Sequence, residues 1–290
     1  MPGSDDFHPL GAAFFHDRHH STLFVTNARR NQSTIEVFHV SHSKLPKFTW
    51  HKTISDSLIV NANAILPVSS TQFYVTNDHR FRRAEMPMAH MFETYSQLPL
   101  SYTAFVDFSG RTTKAEIAVR LQRVANGITA TPDLERVFIA ESTRGGFGVY
   151  ARKENNELDF QEFISINGFT DNLHFSADGY INKDNWGNSA VVAGVHPNIL
   201  RLVECAKGGR NAPSWVVSVR PSRDGMESDP KDQGLYRAKS YKELWHVKTE
   251  VQDDGQWFSS ATGAFVDEEK GVLMGTGLYD DNGAFMCLRQ

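Results

Sequence analysis

Short runs of β-branched and aromatic residues, about five residues long, recur along the whole chain, with turn-forming residues between them. The runs include residues 23–26, 35–40, 72–76, 102–108, 137–140, 146–150, 191–195, 199–203, 272–275 and 284–288. Among the separators are Asn31, Ser109-Gly110, Pro132-Asp133, Gly145-Gly146, Asp178-Gly179, Asp253-Asp254-Gly255 and Asn282-Gly283. The strand–helix alternation of a parallel α/β sheet is missing, so the strands are expected to pair as antiparallel neighbours. A strand of Leu/Val-Phe-Val/Ile type, then a turn and an amphipathic partner, recurs near Phe24, Phe73, Phe138, Val192 and Leu273. Most of these intervals are roughly 50 to 65 residues, near the period of four-stranded propeller blades. The pattern predicts a single all-β domain over residues 1–290, of the β-propeller type, with about five blades in view; by itself it also admits a sandwich or a barrel. After 284–288 the chain stops, which leaves the last blade about one strand short. Its missing strand would have to come from the short segment before Phe14, and open blade edges predict a homodimer.

Composition narrows the function classes. With a net charge of −4 and no basic run, nothing neutralises a nucleic-acid backbone. No apolar stretch approaches the roughly 18 residues that span a bilayer. The opening MPGSDDFHPLGAAFFHDRHH has no basic segment leading into an apolar one, which predicts a cytoplasmic protein, or a secreted one if the amino terminus is truncated. Two cysteines, Cys205 and Cys287, make no disulfide framework in 290 residues.

Two segments depart from the strand pattern. Residues 83–95, with Met86, Met88, Met91 and Phe92, read as a helix whose apolar stripe is expected to pack inward, with the lining of a mouth or of a partner surface as the alternative. Residues 212–243, with Pro221, Asp224-Gly225, Asp229-Pro230 and Asp232-Gln233-Gly234, read as a long polar insertion, a solvated loop or else a lid over the propeller's open face. Four segments rich in Asn or Asp stand at strand ends: Asn61-Ala62-Asn63, Ala125-Asn126-Gly127, Thr170-Asp171-Asn172 and His196-Pro197-Asn198. One such residue is an ordinary turn former. Several at a blade-like interval offer amide and carboxylate oxygens to a common centre, the donor chemistry of Ca²⁺.

The strings NQSTIEVFHV, FYVTNDH, VANGITATPD, VFIAES, FTDNL, VHPN and the closing GTG and AFMCL occur in the order in which similar strings occur in the paraoxonase/arylesterase family. The chain resembles that family from Phe7 to its carboxyl terminus. The resemblance implies a six-bladed propeller with two calcium ions in its central tunnel, and hydrolysis of lactones and aryl esters. It assigns the catalytic calcium to Asn63, Asn126, Asp171 and Asn172, with Asp78 as a nearby acidic residue followed by His79.

The chain also departs from the family. The family's amino-terminal Glu-Asp calcium ligands have no counterpart; Asp5-Asp6 lies directly before the FHPLG segment instead. A second-calcium ligand expected after Asn63 is Ala64, so that site is expected to be lost and the first weakened. The two histidines proposed as general bases in the family are Leu10 and Ala28 here, neither able to take a proton, and His8 is the nearest substitute. His16, His19 and His20 form a loop cluster in which metal capture competes with plain solvation. The family's disulfide partner for Cys287 is missing, so Cys287 is expected to be a free buried thiol, and Cys205 a small core residue. The leading expectation is a calcium-dependent lactonase or arylesterase for a hydrophobic substrate, with Asp171, Asp78 and His8 as its candidate catalytic residues. The alternative is a repurposed propeller that catalyses a non-hydrolytic step or serves as a binding scaffold.

Overall fold

The computed structural model describes residues 4–17, 21–176, 186, 189–221, 236–239 and 244–288. Five successive antiparallel sheets account for nearly all the regular structure, and the class is all-β of the β-propeller type. The chain divides into two compact units, residues 1–128 with 154–157, and residues 129–153 with 158–290.

The first unit holds two four-stranded sheets. One runs in chain order through β1 (Pro9–His16), β2 (Ser21–Ala28), β3 (Ser33–Val40) and β4 (Phe48–Ile54). The other runs through β5 (Ala62–Pro67), β6 (Gln72–Asn77), β7 (Ser101–Asp107) and β8 (Lys114–Gln122), with helix α1 (Pro87–Ser96) between β6 and β7. Alternate residues of the central strands meet in one core of Phe24, Ile35, Val37, Phe73, Val75 and Val106. Each fully buried Phe or Val there contributes about 1.5–3 kcal/mol relative to exposure. The outer strands β4 and β8 are mostly exposed or half-buried, as blade rims are.

The unit boundary falls within β9 (Ala125–Ala130), which belongs to the sheet ordered β12-β11-β10-β9 with β10 (Arg136–Glu141), β11 (Gly146–Arg152) and β12 (Leu158–Ser165). The second unit then builds a five-stranded sheet from β13 (Phe169–Ser176), β14 (Ala190–His196), β15 (Ser214–Pro221), β16 (Tyr236–Lys239) and β17 (Leu244–Asp253). Its order is β13-β14-β15-β17-β16, so the last-made strand lies between its two predecessors. Strand β14 is buried on both faces: Val191, Ala193 and Val195 enter one core while Val192 enters the next. The final sheet has three strands, β18 (Ala261–Asp267), β19 (Val272–Gly277) and β20 (Ala284–Leu288). Across it Phe265, Met274 and Met286 stand in register and are 39%, 45% and 65% exposed.

Several expectations change. Residues 199–203 are not a strand but part of helix α2 (Ile199–Cys205), because Asn198 caps it by accepting the N–H of Arg201 at 3.1 Å. The expected helix at 83–95 starts later, with Pro87 in its first turn, where a missing N–H costs nothing. Its apolar stripe faces outward, and its one buried residue is Glu93. The expected insertion contains strand β15, whose Val216, Val217 and Val219 are core residues, and strand β16; residues 222–235 and 240–243 lie outside the described residues. Turn Asp178-Gly179, His19 and His20 also lie outside them. Both cysteines are free thiols; Cys205 is buried, whereas Cys287 is only half-buried because β20 lies at the edge of its sheet.

Candidate functional site

The candidate residues sit where strands break register. In β5 the pairing with β6 slips between Ala62 and Ile65, at Asn63 and Ala64. In β13 the pairing with β14 slips between Thr170 and Leu173, at Asp171 and Asn172. The same irregularity falls at Leu10 and Gly11 in β1 and at Thr262 in β18. An extra residue at such a bulge goes unpaired and re-aims its side chain, which is why bulges gather beside functional sites.

In the second unit, one carboxylate oxygen of Asp171 accepts hydrogen bonds from His196 Nε2, at 3.0 Å, and from the Thr262 hydroxyl. The Thr262 oxygen in turn accepts from Asn172 Nδ2 at 3.1 Å. Asp171 and His196 are 8% and 5% exposed, so both side chains are buried. These bonds use Asp171 Oδ2 and the Asn172 amide nitrogen, which leaves Asp171 Oδ1 and the Asn172 carbonyl oxygen outside them. His196 Nδ1 is buried and has no hydrogen-bond partner among the described residues. Backbone packing fixes the arrangement: a Cβ on Gly194 of β14 would lie 2.3 Å from the Thr262 carbonyl carbon. Only glycine permits that approach. Burial, with the charges of the nearby Cys205 and Asp171, pushes the Tyr279 phenol above its usual pKa.

In the first unit, Asn63 Nδ2 donates to Asp78 Oδ2 at 3.4 Å, and the Thr26 hydroxyl holds the Asn63 carbonyl at 3.0 Å. The Thr76 hydroxyl holds the carbonyl of Asn126 at 2.7 Å. Asp78 Oδ1 contacts His79 Nδ1 at 3.0 Å, and His79 Nε2 meets the Thr94 hydroxyl of α1 at 2.8 Å. Thr94 donates its single proton to the His90 carbonyl at 2.9 Å, so its oxygen can only accept from His79. With that assignment both His79 ring nitrogens face oxygen acceptors, which favours the protonated ring. Burial pulls its pKa down, but the hydrogen bond and charge of Asp78, aided by Glu93, outweigh that and raise it. Glu93 accepts the backbone N–H groups of Arg80, at 2.9 and 3.0 Å, and of Phe81, at 3.2 Å.

His8 stands apart from these groups. Its ring is 56% exposed and faces Asp6 at 3.5 Å. Leu10 is exposed as well, and Asn198 is committed to capping α2. Sequence reasoning missed His196 and Thr262 as partners of Asp171. His196 was visible in the VHPN string, but Thr262 meets Asp171 across 91 residues of chain and leaves no local signal.

The donor chemistry fits a hard cation, since Asp171, Asn172, Asn63 and Asn126 offer only oxygen from carboxylate or amide. Among the described residues no three His, Cys, Asp or Glu side chains cluster as a metal site.

The family model described as arylesterase matches residues 2–238. Serum paraoxonase/lactonase 3 of Oryctolagus cuniculus is 27% identical over 273 residues, 94% of this chain and 67% of that protein. Serum paraoxonase/arylesterase 1 of Homo sapiens is 30% identical over 198 residues, 68% of this chain and 51% of its own length. Human serum paraoxonase/lactonase 3 is 27% identical over the same share of each chain. Against the two human proteins the match thus spans about half the relative's length. A solved gluconolactonase of Xanthomonas campestris aligns with a TM-score of 0.44 at 12% identity, over 94% of this chain and 83% of that one, too distant to bear on the site.

Proposed function

The chain belongs to the arylesterase family, and on that premise we propose that it hydrolyses carboxylic esters, specifically hydrophobic lactones or aryl esters, in a calcium-dependent way. The observation that carries the reading is the buried Asp171–His196 pair with its unpartnered imidazole nitrogen. Asp171 fixes the imidazole through Nε2, so Nδ1 is the position at which His196 takes a proton from an attacking water. Thr262 and Asn172 hold the carboxylate in place through the bonds described above. Asn63, Asn126, Asp171 and Asn172 would hold the calcium. When bound, the ion would supply Lewis-acid polarisation of the substrate carbonyl. Asp78 keeps a second acidic group beside Asn63. His8, with its exposed ring on Asp6, is the weaker candidate for a base.

A lactone and aryl-ester panel with and without EDTA tests the reading. Turnover should vanish with EDTA, and His196→Gln and Asp171→Asn should each lower kcat/KM by about a hundredfold or more. Hydrolysis indifferent to EDTA and to both substitutions would overturn it. The replacement of two family histidines by Leu10 and Ala28 favours a second reading, a repurposed site that binds an apolar ligand without hydrolysing it. Absence of turnover at any calcium concentration, alongside saturable ligand binding, would select that one.

A further inference from the structure

A different group of reactive side chains lies in the first unit, at the end of β1 and the start of β2. The Ser21 hydroxyl stands between two imidazoles, 2.7 Å from His16 Nδ1 and 2.7 Å from His42 Nε2. A hydroxyl carries one proton, so it donates to one ring and accepts from the other. One ring therefore presents a bare nitrogen to the Ser21 proton, at the distance expected of a nucleophile and its general base. The other ring's N–H holds the oxygen in place.

His16 is the fixed ring. It stacks on Phe14 with centroids 5.4 Å apart and planes at 11°. Both rings are exposed, so exposure does not separate them; the stack that holds His16 leaves His42, in the segment after β3, the part of base. The three polar groups line a cavity of about 380 Å³ whose other walls include Phe14, Val40, Pro46 and Phe48. A small apolar pocket with a few convergent polar groups is the usual form of a small-molecule site. Ser21 itself is 4% exposed, so a reagent reaches it by way of that cavity.

We propose that Ser21 is a nucleophilic acyl acceptor for small activated aryl esters, independent of Asp171 and of calcium. The Ser21 oxygen attacks the ester carbonyl carbon and its proton passes to His42 Nε2. A bond forms between the acyl carbon and the serine oxygen, the bond to the aryl oxygen breaks, and His42 returns the proton to the departing aryloxide as a phenol. The product is an acyl-Ser21 ester, which water then cleaves to the acid and free serine. His16 acts through Ser21 and is a positioning residue.

The test uses the full chain with p-nitrophenyl acetate in EDTA, so a failure of the calcium reading leaves it intact. Expected are a burst of nitrophenolate and one acetyl group per chain, mapped to Ser21 by peptide mass spectrometry. Ser21→Ala should abolish the label, and the exposed His42→Gln should slow it by about a hundredfold or more. His16→Phe, which keeps the stack and loses the N–H, should slow labelling, and His16→Gln, which keeps a donor, should restore part of the rate. An unlabelled chain, an acetyl group lodged elsewhere, or a labelling rate unchanged in His42→Gln would overturn the proposal.

Discussion

Glu36 shows how one carboxylate can be both buried and cheap to keep. It is 1% exposed, yet it accepts from Asn27 at 3.3 Å, Thr34 at 3.0 Å, Trp50 at 3.1 Å and Thr53 at 2.6 Å. Burial pushes its pKa up, and these hydrogen bonds together push it further down, so the net shift is downward from 4.5. A depressed carboxylate stabilises the fold above its unfolded pKa, and that contribution fades as the pH falls through the folded value. Glu36→Gln should cost about 1–3 kcal/mol at neutral pH, and its melting temperature should fall less than wild type between neutrality and acid. Thermal melts across that range check it; parallel curves would remove Glu36 as the source. The same scale shows what the sequence could and could not reveal. Asp171 was legible because its Asp-Asn pair sits in a string similar to the family's. Glu36 was not, because its partners come from three strands and only the paired register brings them together.

Helix α1 is turned inside out relative to its sequence pattern. Met88, Met91, Phe92 and Tyr95 are 71%, 46%, 61% and 73% exposed, while Glu93, His90 and Thr94 hold the segment that follows β6. The methionine stripe forecast a helix correctly, but periodicity cannot say which face turns inward. The backbone N–H groups of Arg80 and Phe81 need an acceptor once partly buried, and Glu93 supplies it. Because the His79 pKa is raised, its contribution is complete below the unfolded value near 6.5 and is lost as pH rises through the folded one. Amide exchange in α1, after allowance for the intrinsic rate, should therefore quicken above that value in wild type, and Glu93→Gln should quicken it at every pH. Uniform protection across the range would contradict the clasp. A second element-level constraint is the close passage of β14 by β18. Gly194→Ala should destabilise the protein by several kcal/mol and displace Thr262, because the new Cβ meets backbone, which cannot swing aside. A crystal structure of the variant with Thr262 still bonded to Asp171 would refute this.

At the scale of the whole molecule, the all-β class and the number of blades in view were legible, and so was the shortness of the final sheet. The long connection after β15 was misjudged at its start, since a polar loop and the strand leading into it share no sharp boundary in composition. On the last sheet Phe265, Met274 and Met286 form an exposed row, with the His174 ring packed edge-on against Phe265 at 4.8 Å. We expect self-association through this face, detectable by sedimentation velocity as a concentration-dependent increase in mass. Met286→Glu should abolish it, and a wild-type monomer at high concentration would count against it. The order of strands has a further consequence, for biosynthesis. Four of the five sheets use consecutive strands in sequence order, so each can close as soon as its own stretch leaves the ribosome. The fourth sheet differs, because the strand made after β15 is not the one that pairs with it. The open edge of β15 has to wait through the synthesis of β16 until β17 inserts between them, and a pause in translation there would leave that edge exposed to capture by chaperones.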